Sequence, residues 1–227
     1  MILIIAAMNE ELEALRSKLE NPIEKNHGDI LTYEGEIAGK EVVLSLSGVG
    51  KVNAAYTSTK LIGIYPIDTL INIGSAGGLK SSQKVGEIVI ADECRYHDFD
   101  IGEEYMDDER FIFKPNSKLN KSAQKTIEEL GIKSHPGLLL AGDQFVTKNS
   151  DAFMNIQRKY PDAVAVDMES AAIAAVCKRA NIPFIVLRSL SDVTTEDDNA
   201  LSFEEYLPLA SEQSAKVCYE FIKKEFT

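Results

Sequence analysis

The chain has 227 residues, enough for one large α/β domain with a sizeable core, and its 44% hydrophobic and 26% charged residues are those of a folded globular protein. A formal net charge of -12 without a local Lys/Arg cluster argues against a nucleic-acid partner. Cys94, Cys177 and Cys218 are far apart and form no C-x-x-C pair, which points to reduced thiols; the apolar start MILIIAAM lacks a basic leader and no run reaches the roughly 18 apolar residues of a membrane span, so a cytoplasmic protein without a membrane partner is expected.

In chain order, Ile2 to Ala7 reads as a buried strand, and Leu12, Leu15 and Leu19 then recur at helical spacing. Ile30 to Ile37 and Glu41 to Leu46 flank Ala38-Gly39-Lys40, which predicts a hairpin. SGVGK follows, then a helix through Ala54, Ala55, Thr59 and Ile62. Thr69 to Ile73 is another buried strand, expected to end in a GSAGGL loop, and Glu87 to Ala91 continues in β. The acidic stretch 97 to 110 reads as an exposed excursion. Lys118 to Leu130 is helical, with Gly131 as its stop. The strands GLLLAGDQF, AVAVDM and PFIVLRSL alternate with helices near 150–159 and 169–180. A last helix over Pro208 to Phe226 carries Val217, Phe221 and Ile222 on one face. There is no repeat or linker, so the pattern predicts a single α/β domain over residues 1–227, a central mixed β-sheet flanked by helices.

SGVGKVNAA fails as a P-loop, because Ser45 and Val52 stand where Gly and Ser/Thr are needed, and it fails as a dinucleotide fingerprint at Asn53. A tight turn before a helix is the better reading. His27, His97 and His135 lack metal-ligand spacing and read as surface residues, so no metal is expected. No nucleophile elbow is present. Acids at apolar strand ends recur, however: Glu10 and Glu11, Asp143, Asp167 and Glu169, Asp192. Any one of them alone is most often a helix cap or a solvated loop acid. Strand carboxyl ends in such a sheet converge, and two carboxyls across a cleft are the minimum for cleaving a glycosidic bond, one giving a proton and the other activating water.

Taken together, AAMNEELEAL, SGVGKVNAA, INIGSAGGL, VGEIVIADECRYHD, GDQFV, AVDMESAAIAAVC, PFIVLRSLSDV and LSFEEYL resemble the 5′-methylthioadenosine/S-adenosylhomocysteine nucleosidases of the nucleoside phosphorylase superfamily, over nearly the whole chain and in the family's order. The resemblance implies a nucleoside phosphorylase-like fold, a homodimer, no cofactor, and hydrolysis that frees adenine from a 5′-thio-substituted ribose. It implies Glu11 as the general base for water and Asp192, with Arg188 and Ser191 beside it, as the acid that protonates the imidazole ring of adenine. Met168 and Glu169 would contact ribose, Phe145 would stack on the base, Val146 and the run Ser75, Ala76, Gly77 would line its pocket, and Phe203 would close the site. The chemistry asks for these types: adenine leaves poorly as an anion and needs a proton, and a carboxylate against the sugar hydroxyls stabilises the oxocarbenium-like transition state more than the ground state. Asp167 is expected to hydrogen-bond local backbone or cap the following helix.

Phosphorylases of this fold carry an arginine just before the glycine loop, where this chain has Asn72, which favours water over phosphate as nucleophile. Asn9 stands where members commonly have an acid, and Asp167 where glutamate is usual. HDFDIGEEYMDDERF replaces a longer Phe-Gly-Tyr-Glu-Tyr-Gly-type stretch, which leaves the 5′ substituent open. The alternatives are a nucleosidase for another 5′-modified adenine nucleoside, a phosphorolytic relative, or a nucleoside-binding protein without turnover.

Overall fold

Five consecutive buried residues, Ile2–Ala6, form the first strand, β1, of a computed structural model that describes residues 1–102, 105, 107–196 and 199–226. Successive side chains of a strand point to opposite faces. Accordingly Ile2, Ile4 and Ala6 join one apolar cluster while Leu3 and Ile5 join another. A strand buried on both faces is apolar throughout, which is why this run shows no alternation of apolar with polar residues.

The other strands are β2 (Glu20–Asn26), β3 (Leu31–Ile37), β4 (Lys40–Leu46), β5 (Thr69–Asn72), β6 (Ser75–Gly78), β7 (Ile88–Tyr96), β8 (Ser134–Ala141), β9 (Ala165–Asp167) and β10 (Phe184–Val193). They form one mixed sheet in the order β2-β3-β4-β1-β5-β10-β6-β9-β8-β7. The early residues of β10 run parallel to β5 and the later ones parallel to β6, while Leu187–Ser189 also pair antiparallel with β7. The strands β10, β6, β9, β8 and β7 therefore close into a ring. Helices α1 (Asn9–Arg16), α3 (Ser117–Glu129) and α6 (Asn199–Glu225) cover one face through Leu15, Ile127 and Phe221. Helices α2 (Lys51–Ile64) and α5 (Ser170–Ala180) cover the other through Leu61 and Ile173, and α4 (Asp151–Lys159) lies over a smaller cluster with Val146 and Val166. This is the expected mixed α/β architecture, and among the described residues no helix is long and apolar enough to cross a membrane.

Three expectations are corrected, and one strand is added to them. GSAGGL is not a loop: Ser75–Gly78 is a strand, parallel to β10 and antiparallel to β9. Its glycines follow from crowding, since a Cβ on Gly77 would stand 2.8 Å from Thr194 Oγ1 and one on Gly78 2.8 Å from Gln83 Oε1. β2 has no counterpart in the sequence reading because ENPIEKN is exposed at every position and so leaves no apolar pattern. The last helix begins at Asn199 and carries Pro208 inside it, a residue that ordinarily marks a start or a break. The histidines are half-buried rather than on the surface: His27 meets the Tyr65 hydroxyl at 2.7 Å and His135 meets Glu87 at 2.6 Å, while burial lowers the pKa of His97. Of the 97–110 excursion, Glu103, Glu104 and Met106 lie outside the described residues; most of the others are exposed, as expected, although Phe99 stacks at 4.9 Å on Phe111 just beyond the stretch.

Candidate active site

Glu11 sits in the first turn of α1, at the carboxyl end of β1, and is 2% exposed. Its Oε2 accepts from the amides of Ala7 and Met8 at 2.9 and 3.1 Å, the reach back that a third-position glutamate makes in a capping box. Its Oε1 accepts from the Ser75 amide and hydroxyl at 2.8 and 3.0 Å. The carboxylate therefore bridges the ends of two strands. Gly74 makes room for it: its φ is +147°, and a Cβ there would lie 2.8 Å from Glu11 Oε1.

The AVDMES segment places two acids at the end of β9 by turning, not by continuing the strand. Asp167 is the last strand residue, and Glu169 has left it with φ -131° and ψ -33° as the residue before α5. Asp167 Oδ1 accepts from the amides of Glu169 and Ser170 at 3.3 and 3.2 Å and from the Ser170 hydroxyl at 2.8 Å, so the helix is capped from two residues back. Its Oδ2 accepts from Arg188 Nε at 2.9 Å and lies 2.8 Å from Nη2, in an ion pair whose side chains are 2% and 1% exposed. Glu169 is freed of any capping duty, and its Oε1 accepts from the Gly50 amide at 2.8 Å. Gly50 is the residue before α2, with φ +97°, so the SGVGK turn aims an amide at an acid far away in sequence. Burial, with the Asp167 carboxylate next to it, pushes the Glu169 carboxyl up to about 7, against the pull of Arg188 and of the Gly50 amide.

Asp192 is placed by an irregularity. Within β10 the pairing with β6 runs Ser189 to Ser75 and Leu190 to Ala76, then Asp192 to Gly77, so Ser191 is an extra residue. A bulge of this kind re-aims side chains. It brings both Ser191 and Asp192 to the same cavity, where regular alternation would send one away. Asp192 is 2% exposed, and its Oδ1 accepts from the Ser191 hydroxyl at 3.0 Å.

These groups line one cavity of about 240 Å³, slightly under the roughly 300–1,000 Å³ of common small-molecule sites. Every sequence-predicted site residue lies on its wall: Glu11, Asp192, Glu169, Ser75, Ala76, Gly77, Phe145, Val146, Met168, Arg188, Ser191 and Phe203. Phe145 and Phe203 meet edge to face with centroids 5.3 Å apart, and Phe145 is 44% exposed. The wall also includes Ala7, Met8, Val49 and Gln144, which lie in the segments AAMNEELEAL, SGVGKVNAA and GDQFV but were given no role of their own. Glu10 and Asp143 are not on it; Asp143 instead accepts from the Lys51 amide at 2.8 Å at the start of α2.

A ringed mixed sheet with buried acids at its strand ends defines the class: residues 1–223 match the model of the phosphorylase superfamily. The 5′-methylthioadenosine/S-adenosylhomocysteine nucleosidase of Neisseria meningitidis, solved with methylthio-immucillin-A, is 36% identical over 98% of each chain with a TM-score of 0.92. That of Streptococcus pneumoniae, solved with the transition-state inhibitor MT-ImmA, is 37% identical over 98% of each chain with a TM-score of 0.91. The futalosine hydrolase of Helicobacter pylori is 26% identical, over 98% of this chain and 97% of that one, with a TM-score of 0.90. Within the phosphorylase superfamily, this chain belongs to the 5′-methylthioadenosine/S-adenosylhomocysteine nucleosidases.

The folded chain holds the Glu169 proton more tightly than the unfolded chain does, so this group's contribution to stability falls as pH rises from about 4.5 through about 7. Glu169→Gln keeps an acceptor for Gly50 and removes the buried charge. At pH 8 it is expected to unfold roughly 2–4 °C above the parent, the shift about 1 kcal/mol makes in a chain of this size, and by much less at pH 5. Calorimetry at the two pH values checks this, and equal melting temperatures at pH 8 contradict it.

Proposed function

We propose that the cavity hydrolyses the N-glycosidic bond of 5′-methylthioadenosine and S-adenosylhomocysteine, releasing adenine and the 5′-thio-substituted ribose. The observation that carries this reading is the charge of the wall: four carboxyl groups, Glu11, Asp167, Glu169 and Asp192, face one guanidinium that is itself ion-paired. Such a wall suits a neutral nucleoside, a developing oxocarbenium and a water molecule, and repels a phosphate nucleophile.

In this reading Asp192 protonates the imidazole ring of adenine while Phe145 stacks on the base and Val146, Ala76 and Gly77 shape its pocket. Glu169, with the backbone of Met168, accepts from the ribose hydroxyls; as positive charge grows on the sugar this contact strengthens and lowers the barrier. Glu11 takes the proton of the attacking water. A carboxylate offers about four lone-pair sites, and here four donors meet them. Three of these are fixed amides, so the Ser75 hydroxyl, which rotates, is the donor that water displaces. Arg188 and Ser191 hold the acids in place, and Phe203 covers the sugar's 5′ side.

The same reading makes the protein a cytoplasmic homodimer in methionine salvage; a light-scattering mass near 25.0 kDa contradicts the dimer. A second reading, a nucleosidase for another 5′-modified adenine nucleoside, is favoured by the altered 97–113 segment.

Methylthioadenosine and adenosylhomocysteine, each incubated with the protein, are expected to yield adenine. Asp192→Asn and Glu11→Gln are each expected to lower the rate by at least about 10²-fold, the usual worth of a positioned acid or base. No adenine from either substrate, or an Asp192→Asn rate equal to the parent's, overturns the assignment. Offering these substrates together with other 5′-modified adenine nucleosides ranks the two readings.

A further inference from the structure

Arg188 is the one cation among the described residues on the cavity wall, and it is 1% exposed. A buried guanidinium facing a ligand cavity is ordinarily an oxyanion site, because its planar fork matches phosphate and carboxylate with two parallel hydrogen bonds. Here the fork is filled from within. Asp167 Oδ2 takes Nε at 2.9 Å and lies 2.8 Å from Nη2, Asn72 Oδ1 accepts from Nη2 at 2.6 Å, and the Leu187 carbonyl accepts from Nη1 at 3.3 Å.

Asp167 has two separable tasks. Through Oδ1 it caps α5, and donors there are two amides and a hydroxyl, which a neutral amide oxygen would satisfy equally well. Through Oδ2 it neutralises Arg188, and only this task needs a charge. The capping bonds also keep the carboxylate from swinging away, so an arriving anion cannot displace it without uncapping the helix. We propose that Asp167 is a specificity-determining residue for the nucleophile: by occupying the Arg188 fork it closes the sugar face of the cavity to phosphate and similar small oxyanions, and leaves water to react. The consequence for catalysis rests on the hydrolytic reading given above; the exclusion of anions does not.

Removing one partner of a buried ion pair leaves an uncompensated charge, which seeks a new counterion. Asp167→Asn keeps the cap acceptor and removes the charge from the Nε and Nη2 side of the fork, while Asn72 and the Leu187 carbonyl stay on Nη2 and Nη1. Carboxyl groups of Glu11 and Glu169 still face the same space and oppose an anion, so the affinity gained is expected to be millimolar. The probe is inorganic phosphate, titrated to tens of millimolar at constant ionic strength against parent, Asp167→Asn, the smaller Asp167→Ser, and Asp167→Asn combined with Arg188→Met. Two quantities are read, the melting temperature and the rate of adenine release from methylthioadenosine. The parent is expected to be indifferent to phosphate in both. Asp167→Asn is expected to melt higher with phosphate and to lose adenine release roughly tenfold, the worth of one charge-assisted bond, unless phosphate itself becomes the acceptor and a thioribose 1-phosphate accumulates. Either form of phosphate dependence supports the proposal, and Asp167→Glu is expected to restore indifference. If neither single variant folds in chloride, recovery of native circular dichroism on adding phosphate supports the proposal and no recovery overturns it. Folded single variants with the parent's indifference, or a phosphate response that persists without Arg188, also overturn it. The melting response needs no substrate, so a failure of the hydrolytic reading shows separately, as absence of adenine from the parent.

Discussion

A carboxyl group taken out of water must be hydrogen-bonded, paired or protonated, and the site of this protein is that constraint met four times around one cavity. Glu11 is held by four donors, Asp167 by a helix start and a guanidinium, Glu169 by a single amide, and Asp192 by a neighbouring hydroxyl among its contacts. The four solutions are unequal, and the inequality separates their chemistry. A carboxylate whose two oxygens both accept from the walls is held in one orientation, which suits a base aimed at a water molecule. One with a single donor in a buried place, beside a like charge, moves upward in pKa, as Glu169 does. One locked into a pair is spent on structure, as Asp167 is.

Backbone supplies most of these donors, and it does so at helix starts. The amides before α1 meet Glu11, the amide before α2 meets Glu169, and the first amides of α5 meet Asp167. The unpaired N–H groups and the positive end of the dipole make a helix start favourable for a negative charge. The topology delivers three such starts to one place because β1 and β4, which precede α1 and α2, run parallel and end together, while β9, which precedes α5, runs antiparallel to β6 and so ends beside the start of β6 at Ser75. The fold thus provides the positive potential that lysine and arginine supply elsewhere, and among the described residues the cavity's one cation, Arg188, is ion-paired.

Much of this was legible in the sequence. The buried strand Ile2–Ala6 and the first half of the strand Phe184–Val193 are apolar runs, and the acids that follow them mark the site. What stayed hidden depends on contacts between distant residues. The bulge that turns Ser191 and Asp192 to one side is a register shift against Gly77, which β10 alone does not encode. GSAGGL reads as a loop because three glycines usually mean one, whereas here they make way for Glu11, Thr194 and Gln83. The pairing of Asp167 with Arg188 spans 21 positions and leaves no local trace beyond the presence of both residues. β2 is exposed along its whole length, and hydrophobic periodicity, the main signal of a strand, is absent from it.

The central claim is that the base binds against Asp192 and the sugar against Glu169, with the attacking side facing Glu11. A crystal structure with a non-hydrolysable methylthioadenosine analogue tests this most directly. The account predicts a carboxyl oxygen of Asp192 within about 3 Å of a ring nitrogen of the base, and Glu169 within similar reach of the ribose hydroxyls. A nucleobase lodged away from residue 192, or a ribose turned from Glu169, would contradict it.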